Sequence, residues 1–382
     1  MSRKRSIFED VQTTDKASVS APQPGLIERK KGARGAVRAW LMILFALVTV
    51  MILVGGLTRL TDSGLSITEW KPVRGALPPT SEAAWLAEFE RYKAIPEYQL
   101  QNKGMSLSEF KSIYWWEWGH RQLGRLIGLV WAVGFFGFLA LKKMPPGWTG
   151  RLFGIGALGG LQGAIGWWMV SSGLSGSALD VASYRLATHL GLAFIILGLI
   201  AWYVFQLGRK DSDLLQARRA REAGLGRMAS VLVGLAFVQV LLGALVAGID
   251  AGRGYTDWPM MAGRFFPEGA LDLTPVWRNF FEESGMVQFM HRMWGYLVFA
   301  FGLWLWRRSR SSGNFSTRRA FDWVAVMLFG QVVLGIGTVM YSAPVHLALI
   351  HQLGAVVLWV LILRARFHAL YPAAQSIRGA GA

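Results

Sequence analysis

No cysteine occurs among the 382 residues. That absence excludes disulfides, thiolate-bound zinc, iron–sulfur clusters, covalent attachment of a c-type haem and any cysteine nucleophile. Histidine is scarce, at six residues, so metal chemistry must rest on those six and on carboxylates. Acid is also in short supply: 23 Asp and Glu face 40 Lys and Arg, a formal net charge of +17, although only 16% of the chain is charged. A basic nucleic-acid-binding protein is not expected to be so poor in total charge, nor to carry 18 Trp and 22 Phe at a mean hydropathy of +0.35. The composition is that of a membrane protein whose natural partner is lipid and not nucleic acid.

A bilayer-spanning helix needs about 20 mostly apolar residues. Eight such windows occur, over 40–57, 119–141, 152–171, 186–207, 228–249, 289–306, 321–341 and 345–363. The larger share of Lys and Arg falls in the segments that lie on one side if the N-terminus is cytoplasmic, which places both termini inside. The opening residues are polar and rich in Ser, Thr and Pro, and read as a disordered tail. Glu9, Asp10, Asp15 and Glu28 are too many acids for a mitochondrial transit peptide, and the first apolar window is too long for a signal peptide.

The chain also repeats itself. One constant offset aligns Gly55 with Gly243, Leu57 with Leu245, Asp62 with Asp250 and Gly64 with Gly252, and continues through Trp70 with Trp258 and Pro79 with Pro267. Slightly smaller offsets pair His120 and Arg121 with His291 and Arg292, Gln162 and Gly166 with Gln331 and Gly335, and His189 with His351. The expected fold is therefore all-α and polytopic: eight transmembrane helices forming two tandem, pseudo-symmetric four-helix bundles in the same orientation. The expected organisation is a tail over 1–37, a first bundle over 38–210 with a long outer loop over 58–118, a cytoplasmic linker over 211–227, a second bundle over 228–366 and a tail over 367–382.

Four histidines fall at matching places, His120 and His189 in the first half, His291 and His351 in the second, each expected in the first turns of an even-numbered helix. A lone intramembrane histidine is more often a hydrogen-bonded core residue than a ligand. Four of them, paired by an independent repeat, point the other way. Two imidazoles per bundle are too few for closed zinc but suit a haem iron held from both axial sides. Gly124, Gly128, Gly159, Gly160, Gly163 and Gly166 leave room for a flat macrocycle, and Trp115, Trp116, Trp118, Trp167, Trp168 and Trp294 are candidates to pack on it. Arg121, Arg125, Arg185 and Arg292 lie beside the histidines and are candidates to hold propionates. His346 is expected at the outer rim, as a rim residue or rival ligand, and His368 in a solvated inner tail.

Where the repeat breaks, function is sought. Glu117 stands one helical turn before His120; the matching position before His291 is Gln288, which cannot ionise. The first half also has the longer outer loop. Chemistry is thus expected in the first half and a permanent electron-carrying haem in the second, with a Glu117–Arg121 salt bridge as the plainer account of Glu117.

The block from Gly55 through Leu60 and Asp62 to Ser66, Trp70-Lys-Pro, and the run from Glu117 through His120 and Arg121 to Arg125 resemble the haem A synthase family, its alphaproteobacterial and mitochondrial branch above all, over about 38–363. The resemblance implies an oxidoreductase of the bacterial inner membrane that converts haem O to haem A by successive hydroxylation of the C8 methyl group to a formyl group. It implies that His291 and His351 ligate a haem b cofactor, that His120 and His189 hold the haem O substrate and that Glu117 is the essential acid. Implied partners are haem O synthase (protohaem farnesyltransferase) and cytochrome oxidase assembly factors; a homo-oligomer is left open. The cysteine pair of Bacillus-type members is absent, so no relay runs through it here. The competing readings are a di-haem b-type electron-transfer cytochrome and a haem transporter or chaperone.

Overall fold

The computed structural model describes residues 33–174 and 179–375. Most of the tail expected over 1–37, and the end of that over 367–382, lie outside them. In chain order the helices are α1 (Arg34–Leu60), α2 (Glu82–Lys93), α3 (Pro96–Leu100), α4 (Leu107–Ala140), α5 (Thr149–Val170), α6 (Ser183–Leu207), α7 (Asp211–Arg219), α8 (Ala223–Gly248), α9 (Asn279–Glu282), α10 (Ser284–Ser309), α11 (Phe315–Met340) and α12 (Val345–Leu370). The described residues form no β-strand, only one isolated bridge between Met261 and Arg264.

Eight of these helices, α1, α4, α5, α6, α8, α10, α11 and α12, run 22 to 34 residues and cover the eight apolar windows. Six of them, all but α5 and α10, are long and apolar enough to cross a membrane. The other two are diluted by composition, α5 by glycine together with Arg151 and Gln162, α10 by His291, Arg292, Arg307 and Arg308. Boundaries differ from expectation at both ends of the chain. Helix α1 begins at Arg34 within the expected tail, and α12 continues to Leu370, so His368 is a half-buried residue of its last turn and not part of a solvated tail. Within the expected linker over 211–227, α7 and the start of α8 are helical.

Helix α4 departs furthest. It starts at Leu107, well outside the apolar window, because Ser106 and Glu109 close a reciprocal capping box: Ser106 Oγ accepts from the Glu109 amide, and Glu109 Oε2 accepts from the Ser106 amide at 2.7 Å. His120 is consequently in the middle of a rod that projects outward, not in its first turns. Its outer part packs with α2 and the preceding loop around a satellite core of Leu65, Trp85, Phe89, Tyr92, Ile95, Phe110 and Tyr114.

Neighbour relations follow the repeat. Helix α1 packs on α4 and α6, and α5 on the same two; α8 packs on α10 and α12, and α11 on the same two. Helix α6 meets α8 and α12, and α1 meets α12, joining the halves through a continuous core that includes Leu44, Leu197, Ile200, Leu232, Leu305 and Phe321. Indole N–H groups inside this core donate to helix carbonyls, Trp40 to Val130 at 2.9 Å, Trp294 to Leu235 at 2.8 Å and Trp359 to Phe194 at 3.1 Å. An apolar interior supplies no other acceptor. Asp62 and Asp250, equivalent in the repeat, both take left-handed backbone (φ 48° and 51°) just past α1 and α8, a conformation that Asp tolerates better than most residues.

Candidate functional site

Each of the four repeated histidines stands against a glycine of a neighbouring helix. A Cβ added to Gly55 would lie 3.5 Å from His120 Nε2; to Gly166, 2.9 Å from His189 Cε1; to Gly243, 3.1 Å from His291 Cε1; and to Gly335, 3.2 Å from His351 Cε1. The backing glycines are themselves repeat equivalents, so the same close approach is built four times. His120 and His189 are carried by α4 and α6, both of which pack on α1 and α5, and His291 and His351 by α10 and α12, both of which pack on α8 and α11. All four rings are half-buried.

Three of them also carry a glutamine. Gln162 Nε2 donates to the His189 carbonyl at 3.0 Å and lies 3.3 and 3.4 Å from its ring nitrogens. Gln239 does the same to His291, at 3.1 Å from the carbonyl and 3.2 and 3.4 Å from the ring nitrogens. Gln331 donates to the His351 carbonyl at 3.2 Å. The three amide oxygens are buried and unpartnered, as is His351 Nδ1. Gln162 and Gln331 were legible as repeat landmarks, but Gln239 was not singled out. The signal that finds it is its position four residues before a histidine-backing glycine.

Glu117 is buried, 2% exposed, and its carboxylate is fully engaged. Oε2 accepts from Ser66 Oγ at 2.7 Å and from the Ile67 amide at 2.8 Å; Oε1 accepts from Arg121 Nε at 3.0 Å and Nη2 at 2.5 Å. The salt bridge to Arg121 is thus present. Arg121 further donates to the carbonyls of Ile67 and Glu69. Arg292 repeats this at the equivalent carbonyls, Tyr255 at 2.9 Å and Asp257 at 3.0 Å, while Gln288 accepts from Arg292 and donates to Tyr255. Both halves therefore staple a loop to the helix in the same way, and only the first puts a carboxylate there.

The remaining candidates are scattered more widely. Arg125 donates to the carbonyls of Pro72 and Lys71 and keeps Nη1 unpartnered; Arg185 donates to the Trp168 carbonyl, lies over the Trp168 ring and keeps Nε unpartnered. Of the tryptophans, Trp115, Trp116 and Trp168 are exposed, Trp118 meets Trp115 edge-on, Trp167 stacks on Trp70, and Trp294 packs against the core. His346 is exposed at the start of α12.

Two features escaped sequence reasoning. Arg59, from the end of α1, is bonded to Asp62 at 2.8 Å, Asp180 at 3.3 Å and Asp250 at 2.8 Å, bridging the halves just beyond the ends of α1 and α8. Glu97 of α3 is 3% exposed with Oε2 unpartnered. Burial, with the charges of Asp180, Asp62 and Glu117, pushes its pKa up to about 8.

An internally repeated sequence whose described residues are helical, with six helices long and apolar enough to cross a membrane and a glycine-backed histidine pair in each half, defines the class as a polytopic membrane protein. The family model described as cytochrome oxidase assembly protein, COX15-CtaA, matches residues 38–363, and the chain belongs to that family. It is similar over its full length to the "Heme A synthase" of Dinoroseobacter shibae, 68% identical with all of both chains covered. It is 63% identical to that of Ruegeria pomeroyi (99% of this chain, 100% of the relative) and 59% identical to that of Cereibacter sphaeroides (98% of each).

Proposed function

We propose that this protein is a haem A synthase, an oxidoreductase that converts haem O to haem A for cytochrome oxidase assembly. Full-length identity of 68% to a relative of that name carries the reading. All eight long helices then cross the inner membrane as two four-helix bundles with both termini cytoplasmic, and haem O arrives from a farnesyltransferase acting on protohaem.

The residues present fit metalloporphyrins at both histidine pairs. Glycine hollows hold the rings at close range, and the amide oxygens of Gln162, Gln239 and Gln331 beside the ligand histidines are buried and unpartnered, able to accept from a ring N–H. His291 and His351 would hold haem b, which when bound supplies one-electron redox capacity. His120 and His189 hold the haem O substrate. Turning its C8 methyl into a formyl group by two hydroxylations and loss of water from the geminal diol removes four electrons from carbon, so an external oxidant must take those electrons and an external donor must supply the oxygen.

This chain contributes orientation, exclusion of water and proton handling. Glu117 stands one turn outward of His120 and is the group at the substrate site able to take or hold a proton at its carboxylate oxygens. Ser66, the Ile67 amide and Arg121 fix its position. The α2–α3 lid covers this end of the first half. Arg125 and Arg185 keep N–H groups for propionates, while Arg121 and Arg292 mainly staple the loops.

The test is expression of the chain in membranes supplied with haem O, followed by pigment extraction and mass spectrometry. Haem A should accumulate, and Glu117→Gln should abolish it while leaving the second-half haem spectrum intact. Unchanged haem O with intact protein sinks the synthase reading; a fully active Glu117→Gln variant removes the role of Glu117 alone.

A further inference from the structure

One of the four histidines lacks the partner that the other three share. Gln162, Gln239 and Gln331 each stand four residues before the glycine that backs their histidine, on the same face of the helix. Counting back from Gly55, the glycine behind His120, gives Met51. Met51 occupies the same space as its repeat equivalent Gln239: a Cβ on Gly124 would lie 3.5 Å from Met51 Cε, and one on Gly295, the matching residue, 3.1 Å from Gln239 Nε2. A thioether has no N–H to donate and is a weak acceptor. Among the described residues no side chain hydrogen-bonds to His120.

The consequence follows from how axial histidines are held. A second group hydrogen-bonded to a ligand histidine restricts its freedom to tilt and withdraw, and loss of such an outer partner typically costs about 10- to 100-fold in metal affinity. The glutamine amides supply such a brace at the backbone carbonyls of His189, His291 and His351. A resident haem needs both ligands firm. A substrate porphyrin that must leave as product needs one ligand that lets go.

We infer that Met51 makes His120 the exchangeable ligand of the substrate site, with His189 as the retained one, and that Gln162, Gln239 and Gln331 are positioning residues bracing the other three histidines. The inference rests on the haem reading of the two histidine pairs. It explains why the two halves, alike in their histidines and glycines, treat their porphyrins differently.

Reciprocal substitution tests it. The full-length protein is purified with its porphyrins as wild type, Gln239→Met and Met51→Gln. Transfer of each porphyrin to apomyoglobin is timed, with haem b and haem O told apart by chromatography of the extracted pigments, and low-spin haem is followed by absorbance and electron paramagnetic resonance. Haem O should leave wild type faster than haem b. Gln239→Met should speed loss of haem b by about tenfold or more and raise its high-spin fraction; Met51→Gln should slow loss of haem O by a comparable factor. Generally damaged folding would not produce the second effect. Either substitution leaving its own site's rate unchanged overturns the inference. Absence of any bis-histidine signal in wild type would instead overturn the haem reading beneath it.

Discussion

One carbon added at Gly166 would lie 2.9 Å from the His189 ring, closer than real Cβ contacts come, so Gly166→Ala must push the imidazole aside. Low-spin absorbance from the first-half porphyrin should fall several-fold while the second-half signal persists; equal signals from both sites would show that the hollow does not set the ring. At Gly55, where the corresponding distance is 3.5 Å, an alanine fits in ordinary contact and should be tolerated better. The residue scale also separates Glu117 from Gln288. The two share a buried position and an arginine one turn on, so their difference is one of charge and not of architecture.

Between residues and the whole lies the lid, made of α2, α3 and the outer turns of α4. Its Glu97 has a folded pKa raised to about 8 from 4.5, chiefly by burial. The folded lid therefore holds a proton that the open lid releases, so stability contributed by the neutral carboxyl is present at low pH and declines as pH rises from about 4.5 through 8. At 1.36 kcal/mol per unit the full swing is ~5 kcal/mol. Limited proteolysis of the lid should accelerate between about pH 5 and 8 in wild type and level off above that, and Glu97→Gln should flatten that dependence; an identical profile in the variant would rule Glu97 out as its source. The same element accounts for the misplacement of His120 along its helix. Periodicity locates apolar windows, whereas the polar start of α4 is set by the Ser106–Glu109 capping box, which an apolar count does not register.

For the molecule as a whole, Arg59 is a polar link between the halves. Its side chain is 11% exposed and it serves three aspartates drawn from both halves. Arg59→Gln should cost about 2 kcal/mol, since the aspartates are partly solvated and lose one shared cation. Thermal unfolding in detergent should shift down, with less salt dependence than wild type; an unchanged melting temperature would mean that the remaining contacts between the halves suffice without Arg59.

Much of this is legible in the sequence. Apolar windows anticipate the long helices because lipid demands unbroken backbone hydrogen bonding, and tandem offsets locate the paired histidines because duplication preserves spacing. The Glu117/Gln288 break is likewise a matter of letters in register. Other features depend on distance between helices. Which glycine backs which ring, that Gln239 braces His291, that Met51 stands where a brace is missing, that Arg121 is committed to Glu117 and loop carbonyls, and that Glu97 is buried among Asp62 and Asp180 all arise from packing of segments far apart in the chain. Sequence by itself determined the repeat, the helices and the residue types available. Tertiary structure decided their partners, because a hydrogen bond or a steric hollow exists only where a second helix comes within a few ångströms.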